Sequence, residues 1–233
     1  MRIEDCNWMQ VEEYLQRDDR IVVPLGSIEQ HAYLSLGVDR ILSERVSEEA
    51  AEPLAVLVLP SLPYGLTPYF AAYPGSPTLR VETYGAVLTD LLDSFAGQGF
   101  RRFLFVNGHG GNDPGQEAVA VWDAEHVDCQ TKWHNWWAGK GVRAVVDEID
   151  GDASHASWFE NFPWTRLDGV ALPDERKPMA DITRMRELDP AHVRELLGDG
   201  SLGGLYERPD ADVLRVWAAG VAEVRELIEH GWA

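Results

Sequence analysis

Two short segments of the sequence combine carboxylate and imidazole side chains. The first contains Glu29 and His31, with Asp39 eight residues beyond the histidine. The second is Asn107-Gly108-His109-Gly110-Gly111-Asn112. Residues two apart in an extended stretch project to the same side, so Glu29 and His31 are expected to act together. Nitrogen and oxygen donors of this kind suit zinc, manganese or iron(II). A bridging carboxylate would let the set hold two divalent ions that polarise a carbonyl and generate hydroxide at neutral pH.

A third segment, residues 152–160, carries two further candidate groups. His155 and Glu160 are five residues apart and follow a glycine-containing turn. They could supply an acid/base imidazole and an additional carboxylate at the same rim. The alternative is a loop histidine together with a carboxylate stabilised by the dipole of a first helical turn. Spacing alone leaves these two interpretations equal.

Simpler roles are open for each residue taken singly. Asp39 could cap the helix that follows it, and His109 could be a turn residue between glycines that permit tight backbone geometry. The segment around His109 lacks the Lys-Ser/Thr ending of a phosphate loop. A nucleophilic triad is disfavoured, because Ser27 is not in a GxSxG turn and Cys129 has no suggestive neighbours.

The hydrophobic pattern predicts the elements that position these groups. Runs of consecutive apolar residues are typical of parallel strands with both faces covered. Strands are predicted at residues 20–25, 55–60 and 103–106, with a further candidate at 127–133, and helices at residues 7–16, 41–52, 81–98, 115–126 and 211–229. The alternating order indicates one α/β layered domain over residues 1–233 with a largely parallel sheet. Ligands of such sheets collect beyond the carboxyl ends of the strands, where the first two segments lie.

Composition excludes several classes of function. The 233 residues include 39 acidic and 20 Lys and Arg side chains, for a net charge of −19. No nucleic-acid partner is expected, because phosphate binding needs a basic surface. No apolar run approaches the ~18 residues that span a membrane, no secretory signal follows Met1, and Cys6 and Cys129 are too few for a disulfide framework. These features predict a cytoplasmic protein.

Nine tryptophans are many for this length, and five of them, Trp133, Trp136, Trp137, Trp158 and Trp164, surround the third segment. Most are expected in the core or at a subunit interface, where aromatic residues are enriched. Trp137 and Trp158 are the candidates for a wall that contacts a flat substrate. A homo-oligomer is predicted whose contacts use part of residues 133–137.

At these residues the sequence resembles the creatininase (creatinine amidohydrolase) family. The matching pieces are Pro24-Leu25-Gly26-Ser27-Ile28-Glu29-Gln30-His31, Asp39, residues 107–112 and the element from His155 to Glu160. The resemblance implies a three-layer α/β/α fold and a homo-oligomer, often a hexamer. It also implies a two-metal hydrolase site, with Glu29, His31, Asp39 and His109 as ligands and Asp39 bridging. The family's further glutamate corresponds to Gly111 here, which leaves Glu160 as its substitute.

The segment after His31 departs from the family pattern. It is one residue shorter than the usual Gly-Pro-His-Leu-Pro-Leu and lacks the second histidine. Tyr33 and a tyrosine-rich loop (Tyr64, Tyr69, Tyr73) are the candidate contacts for an altered small-molecule substrate. The favoured reaction is hydrolysis of a cyclic amide or related ring carbonyl, with His155 giving a proton to the leaving group. The alternatives are opening of a keto-inositol ring, formamide deformylation, peptide processing, and a non-catalytic metal- or metabolite-binding protein.

Overall fold

Four parallel strands form the sheet at the centre of the fold. The computed structural model describes residues 1–232. The strands are β1 (Arg20–Leu25), β2 (Leu57–Val58), β3 (Arg102–Asn107) and β4 (Gln130–Asn135), in the spatial order β2-β1-β3-β4. All neighbours are parallel, and Leu25 at the end of β1 lies opposite Asn107 at the end of β3. The predicted parallel sheet is therefore confirmed.

Helices cover both faces of the sheet. The helices in the described residues are α1 (Trp8–Leu15), α2 (Val38–Ala51), α3 (Val81–Gln98), α4 (Pro114–Glu125), α5 (Lys140–Asp150), α6 (Ile182–Arg186), α7 (Pro190–Leu197) and α8 (Asp210–His230). Successive strand residues enter different cores: Val22 and Leu104 pack with α2, α5 and α8, whereas Ile21 and Phe103 pack with α1, α3 and α4. This alternation produces the three-layer α/β/α fold. None of these helices is long and apolar enough to cross a membrane.

The residues at two helix ends explain where those helices begin or end. Asn7 caps α1 by accepting a hydrogen bond from the Gln10 backbone, while the Gln10 side chain accepts one from the Asn7 backbone. Such a reciprocal box satisfies two N–H groups that a helix leaves without partners. Gly99 ends α3 with a φ of +113°, a conformation that glycine adopts without a steric penalty. The predicted helix over residues 81–98 is confirmed to the residue.

Three predicted boundaries are wrong. β2 contains two residues instead of the six at 55–60, because Ala55 has a left-handed φ of +51° and the strand lies at the sheet edge. β4 begins at Gln130 rather than 127, since a turn joins Cys129 N–H to the His126 carbonyl and Val127 is fully in solvent. α2 begins three residues earlier than predicted. Helices α5, α6 and α7 were not predicted.

The tryptophans of residues 133–137 are largely used in packing within the chain. Trp136 is 2% exposed and packs edge-on against Trp217, with 5.7 Å between ring centroids. Trp133 stacks on Phe105 at 5.8 Å. Exposure therefore does not argue for a subunit contact at these two residues, and the homo-oligomer stays a prediction.

Candidate metal centre

Polar loops leave the carboxyl ends of β1 and β3, which meet at one edge of the sheet. Glu29 and His31 follow β1, and His109 follows β3. Asp39 lies in the first turn of α2 and does not cap it, since Gly37 is the N-cap residue. None of the four side chains in question is more than 7% exposed. Parallel pairing of β1 with β3 is what brings the two loops together.

Two glycines let the loops and α2 approach closely. A Cβ at Gly26 would overlap the backbone of Arg40, and a Cβ at Gly108 would overlap the carbonyl oxygen of Asp39. Any side chain at these positions would push the start of α2 away from the strand ends. The glycines therefore fix the distance between Asp39 and the imidazole of His109.

Asp39 lies between the two imidazoles. Its Oδ1 is 3.1 Å from Nε2 of His31, and its Oδ2 is 3.0 Å from Nδ1 of His109. Glu29 Oε2 lies 3.3 Å from His109 Nε2, and Glu160 Oε2 lies 3.7 Å from His31 Nε2. Three groups of three potential ligands result, each with its ligand atoms within 4.8 Å of one another: Glu29–Asp39–His109, His31–Asp39–Glu160 and Glu29–His31–His155. Asp39 belongs to the first two groups, and its two oxygens face the histidine of each.

Hydrogen bonds orient both rings as they are oriented in metal sites. Nδ1 of His31 lies 3.0 Å from the Glu29 carbonyl oxygen, and Nε2 of His109 lies 2.9 Å from the Leu66 carbonyl oxygen. Donation of these N–H groups directs the other ring nitrogen of each histidine toward Asp39. Nε2 of His31 and Oε2 of Glu29 are buried and have no hydrogen bond within residues 1–232. Buried polar atoms that face only other ionisable groups, with no regular hydrogen bond, fit a divalent cation.

The electrostatics of the cluster also favour a cation. Burial raises the pKa of Glu29 to about 8 and the pKa of Glu160 to about 7. Burial opposes charge on the imidazoles too, but Asp39 and Glu160 raise the pKa of His31 to about 10, and Glu29 and Asp39 raise the pKa of His109 to about 9. Protons on the rings are thus the countercharge of the carboxylates. A divalent ion would replace them and release protons.

Neighbouring polar side chains hold this geometry. Ser27 donates a hydrogen bond to Asp39 Oδ2 at 2.7 Å. Asn107 accepts from the His109 backbone N–H and donates to the His109 carbonyl. Asn112 donates to the Gly26 carbonyl and accepts from the backbone of Leu66, which joins the two loops. Sequence reasoning gave Ser27, Asn107 and Asn112 no individual role, and the structure shows that all three are fully buried.

The third segment reaches the same cluster. Nδ1 of His155 lies 3.5 Å from Glu29 Oε1, and its ring stacks on Phe70 with 4.8 Å between centroids. Burial, followed by the neighbouring His31, lowers the pKa of His155 well below its usual value, so the ring is neutral. Glu160 accepts a 2.6 Å hydrogen bond from the Ala156 backbone N–H. The structure therefore brings His155 and Glu160 together with the other four predicted residues.

The cluster opens into a cavity of about 580 Å³. Trp137, predicted as a substrate contact, lines this cavity, and so does Tyr69 of the tyrosine-rich loop. No sequence pattern indicated most of its other wall residues, which include Phe70, Arg143, Met179, Ile182, Met185 and Arg186. Phe70 belongs to the tyrosine-rich loop, whereas the other five come from α5, α6 and the segment just before α6, elements that had not been predicted.

The structure corrects two predicted substrate contacts. Trp158 is fully buried in the core and packs against Phe159, so it does not line the cavity. Tyr33 packs edge-on against Tyr206, with 5.4 Å between ring centroids, and lines a separate surface depression beside Arg166. Both predictions rested on residue type and on proximity in sequence. Neither feature determines the direction in which a ring points.

Known proteins resemble this chain over parts of its length. A 114-residue match to creatinine amidohydrolase of Pseudomonas putida is 28% identical and covers 46% of this chain and 44% of that protein. A match to 3-dehydro-scyllo-inosose hydrolase of Thermotoga maritima is 32% identical and covers 43% and 33%. The match to the mycofactocin precursor peptide peptidase of Mycolicibacterium smegmatis is longer, 28% identical over 70% and 74%. The chain thus aligns with less than half of the first two relatives.

Solved structures share the fold across nearly the whole chain. Creatinine amidohydrolase (creatininase) superposes with a TM-score of 0.80 at 21% identity, covering 99% of this chain and 97% of that chain. A manganese form of creatininase gives 0.79 at 22% identity, covering 99% and 98%. A Zn–Zn form of a creatininase mutant gives 0.79 at 20% identity, covering 99% and 97%. The family model described as creatinine amidohydrolase matches residues 4–220. The chain therefore belongs to the creatininase family.

Proposed function

We propose that the chain is a hydrolase that works with two divalent ions per subunit, zinc, manganese or iron. Glu29, Asp39 and His109 would hold one ion, and His31, Asp39 and Glu160 the other. The observation that carries this proposal is the shared carboxylate, because Asp39 belongs to these two groups and places one oxygen beside the histidine of each. Ions bound there would supply a Lewis acid for a carbonyl oxygen and lower the pKa of a water.

His155 is proposed to move the proton that hydrolysis requires. It lines the cavity, and its Nδ1 faces Glu29 Oε1 at 3.5 Å. Its Nε2 lies 3.0 Å from the Gln30 carbonyl oxygen and 2.8 Å from the Gln30 side-chain nitrogen, while its ring stacks on Phe70. A ring held on both sides can accept a proton from water and deliver it to a leaving nitrogen.

The proposed substrate is a cyclic amide or a related ring carbonyl. Family membership and the match to creatinine amidohydrolase support it. Opening of a keto-inositol ring is the second candidate, since the Thermotoga maritima hydrolase is 32% identical over its matched part. The remaining alternatives are formamide deformylation, peptide processing and a non-catalytic metal-binding role. The longer match to the peptidase supports peptide processing among them.

Metal analysis combined with a substrate screen tests the proposal. Protein purified without chelators, and protein reloaded with Zn²⁺, Mn²⁺ or Fe²⁺, is expected to bind two ions per chain. It should hydrolyse at least one member of a panel of lactams, formamides and keto-cyclitols. Less than one ion per chain in every metal would overturn the metal site. Two ions without turnover of any panel member would favour the non-catalytic alternative.

We also propose a single domain that assembles as a homo-oligomer, a hexamer by resemblance to the family. Trp8, which is 71% exposed on α1, is a candidate contact in place of the buried Trp136. Large exposed aromatic side chains are more typical of interfaces than of free surface. Light scattering at working concentration is expected to give a multiple of 26.1 kDa. A mass of one chain would refute the assembly.

A further inference from the structure

Two arginines line the cavity that holds the cluster, in a chain with a net charge of −19. Arg186 is the last residue of α6 and is exposed, and its guanidinium group makes no hydrogen bond or ion pair to any residue in the 1–232 range. Arg143 in the first turn of α5 donates one hydrogen bond, from Nη2 to Asp147 at 3.0 Å. Its remaining donors have no side-chain partner there. Guanidinium N–H groups that lack a protein partner at a cavity wall are available to donate hydrogen bonds to a ligand.

The net charge of the cavity with two metal ions bound would also favour an anionic ligand. The cluster contributes three carboxylates, Glu29, Asp39 and Glu160, against which two divalent ions leave an excess positive charge. Asp113 adds one further carboxylate to the lining, and it accepts a hydrogen bond from Asn135. The two guanidinium groups more than offset it. With the two proposed ions bound, the cavity would therefore be positive although the protein as a whole is strongly acidic.

We infer that the substrate carries a carboxylate, which Arg143 and Arg186 bind while the metal cluster acts on an amide elsewhere in the same molecule. A carboxylate presents two coplanar oxygens that match a guanidinium fork. Phe70, Trp137 and Met185 line the same cavity and provide apolar contact for the rest of the substrate. This inference rests on the proposed function and narrows its cyclic amides and ring carbonyls to those that carry a carboxylate.

A pair of matched ligands isolates the contribution of the carboxylate to binding affinity. 5-Oxo-L-proline carries a carboxylate on a lactam ring, and 5-oxo-L-prolinamide replaces it with a neutral group of similar shape. Isothermal titration calorimetry of zinc-loaded protein is expected to give a Kd at least about tenfold lower for the acid, because charge-assisted hydrogen bonds are the stronger kind. Arg186→Gln and Arg143→Gln should each reduce this preference several-fold without changing the bound metal.

Arg184→Gln is the matched control. Arg184 lies in the same helix, is exposed, has no side-chain partner in the described residues and does not line the cavity. Its replacement removes the same charge from the long-range field, so the preference for the acid should persist. If both Arg184→Gln and Arg186→Gln lost the preference for the acid to the same extent, the preference would come from the net charge of the protein and not from contact with Arg186.

Three results would overturn the inference. These are equal Kd values for the two ligands, no measurable binding of either, and a preference that survives in the Arg143→Gln/Arg186→Gln double variant. The last would mean that the metal ions hold the carboxylate. Failure of the proposed function looks different, since it appears as absent metal uptake or absent turnover. The preference for the acid is also measured in protein from which metal has been removed by a chelator. There too it should be weaker in Arg186→Gln than in Arg184→Gln.

Discussion

Asp39→Asn tests the central geometric feature, the carboxylate shared by two ligand groups. The asparagine keeps the size of the side chain and can still accept the hydrogen bond from Ser27. It removes the anionic oxygen from both groups, whereas Glu160→Gln removes a ligand from one group only. At a fixed free Zn²⁺ concentration we expect two ions per chain in the wild type, about one in Glu160→Gln and nearly none in Asp39→Asn.

The same difference can be expressed as thermal stability. An ion present at 100 times its Kd stabilises the folded state by about 2.7 kcal/mol, so two ions contribute about 5.4 kcal/mol. In a chain of this size each kcal/mol shifts Tm by about 2–4 °C. Zinc should then raise the wild-type Tm by about 10–20 °C, that of Glu160→Gln by about half as much, and that of Asp39→Asn by very little.

Calorimetry and equilibrium dialysis measure the two quantities independently. Circular dichroism without metal establishes that each variant is folded before zinc is added. The reasoning is refuted if Asp39→Asn retains two ions, or if both variants lose the same number of ions and the same part of the Tm shift. In that case Asp39 would not bridge, and the two groups would be occupied independently of it.

Three further predictions concern a proton carrier, an ion pair and a glycine. His155→Ala should leave metal content intact and lower turnover about 100- to 10,000-fold; loss of metal would instead make it a ligand. Asp18→Asn should destabilise the protein near neutral pH, and the difference should shrink steadily as pH falls below about 4. Although burial opposes it, hydrogen bonds from Arg20 lower the pKa of Asp18, so its stabilisation exists above the usual carboxyl pKa and disappears as pH falls. Denaturant unfolding at several pH values measures this, and a constant difference would contradict it. Gly108→Ala should lower the free energy of unfolding by about 1–3 kcal/mol, because its Cβ overlaps the Asp39 carbonyl; an unchanged midpoint would show that the turn can move.

The fold was predictable where hydrophobic runs end in a strong local signal. β1 was predicted to the residue, because consecutive apolar residues end at Gly26, and α3 was predicted because Gly99 terminates its pattern. α5 was missed although Val142, Val146 and their neighbours have helical spacing. α6 and α7 are short and mostly exposed, so their packing against the cavity loops, rather than any periodic pattern, accounts for them.

The candidate site was predictable as a set of residue types and less so as a surface. Glu29, Asp39 and His109 follow strand ends that a parallel sheet places side by side, so topology brought them together. The cavity wall depends on tertiary packing of α5 and α6, which explains why Arg143 and Arg186 left no local signal. Trp158 was predicted to contact substrate but lies in the core, because its residue type does not distinguish the two: tryptophan occurs in cores as readily as at ligand sites.

The contact between residues 29–31 and 155–160 has a consequence for the order of folding. Gln30 and His155 are 125 residues apart in sequence, yet their side chains are 2.8 Å apart. Contacts of such separation form late, because a long loop must close first. An unfinished chain therefore offers no complete set of donors, and an ion is selected only by the finished protein. The identity of a metal held by the proposed site would then be decided by which ions are available after folding, as much as by the donor atoms themselves.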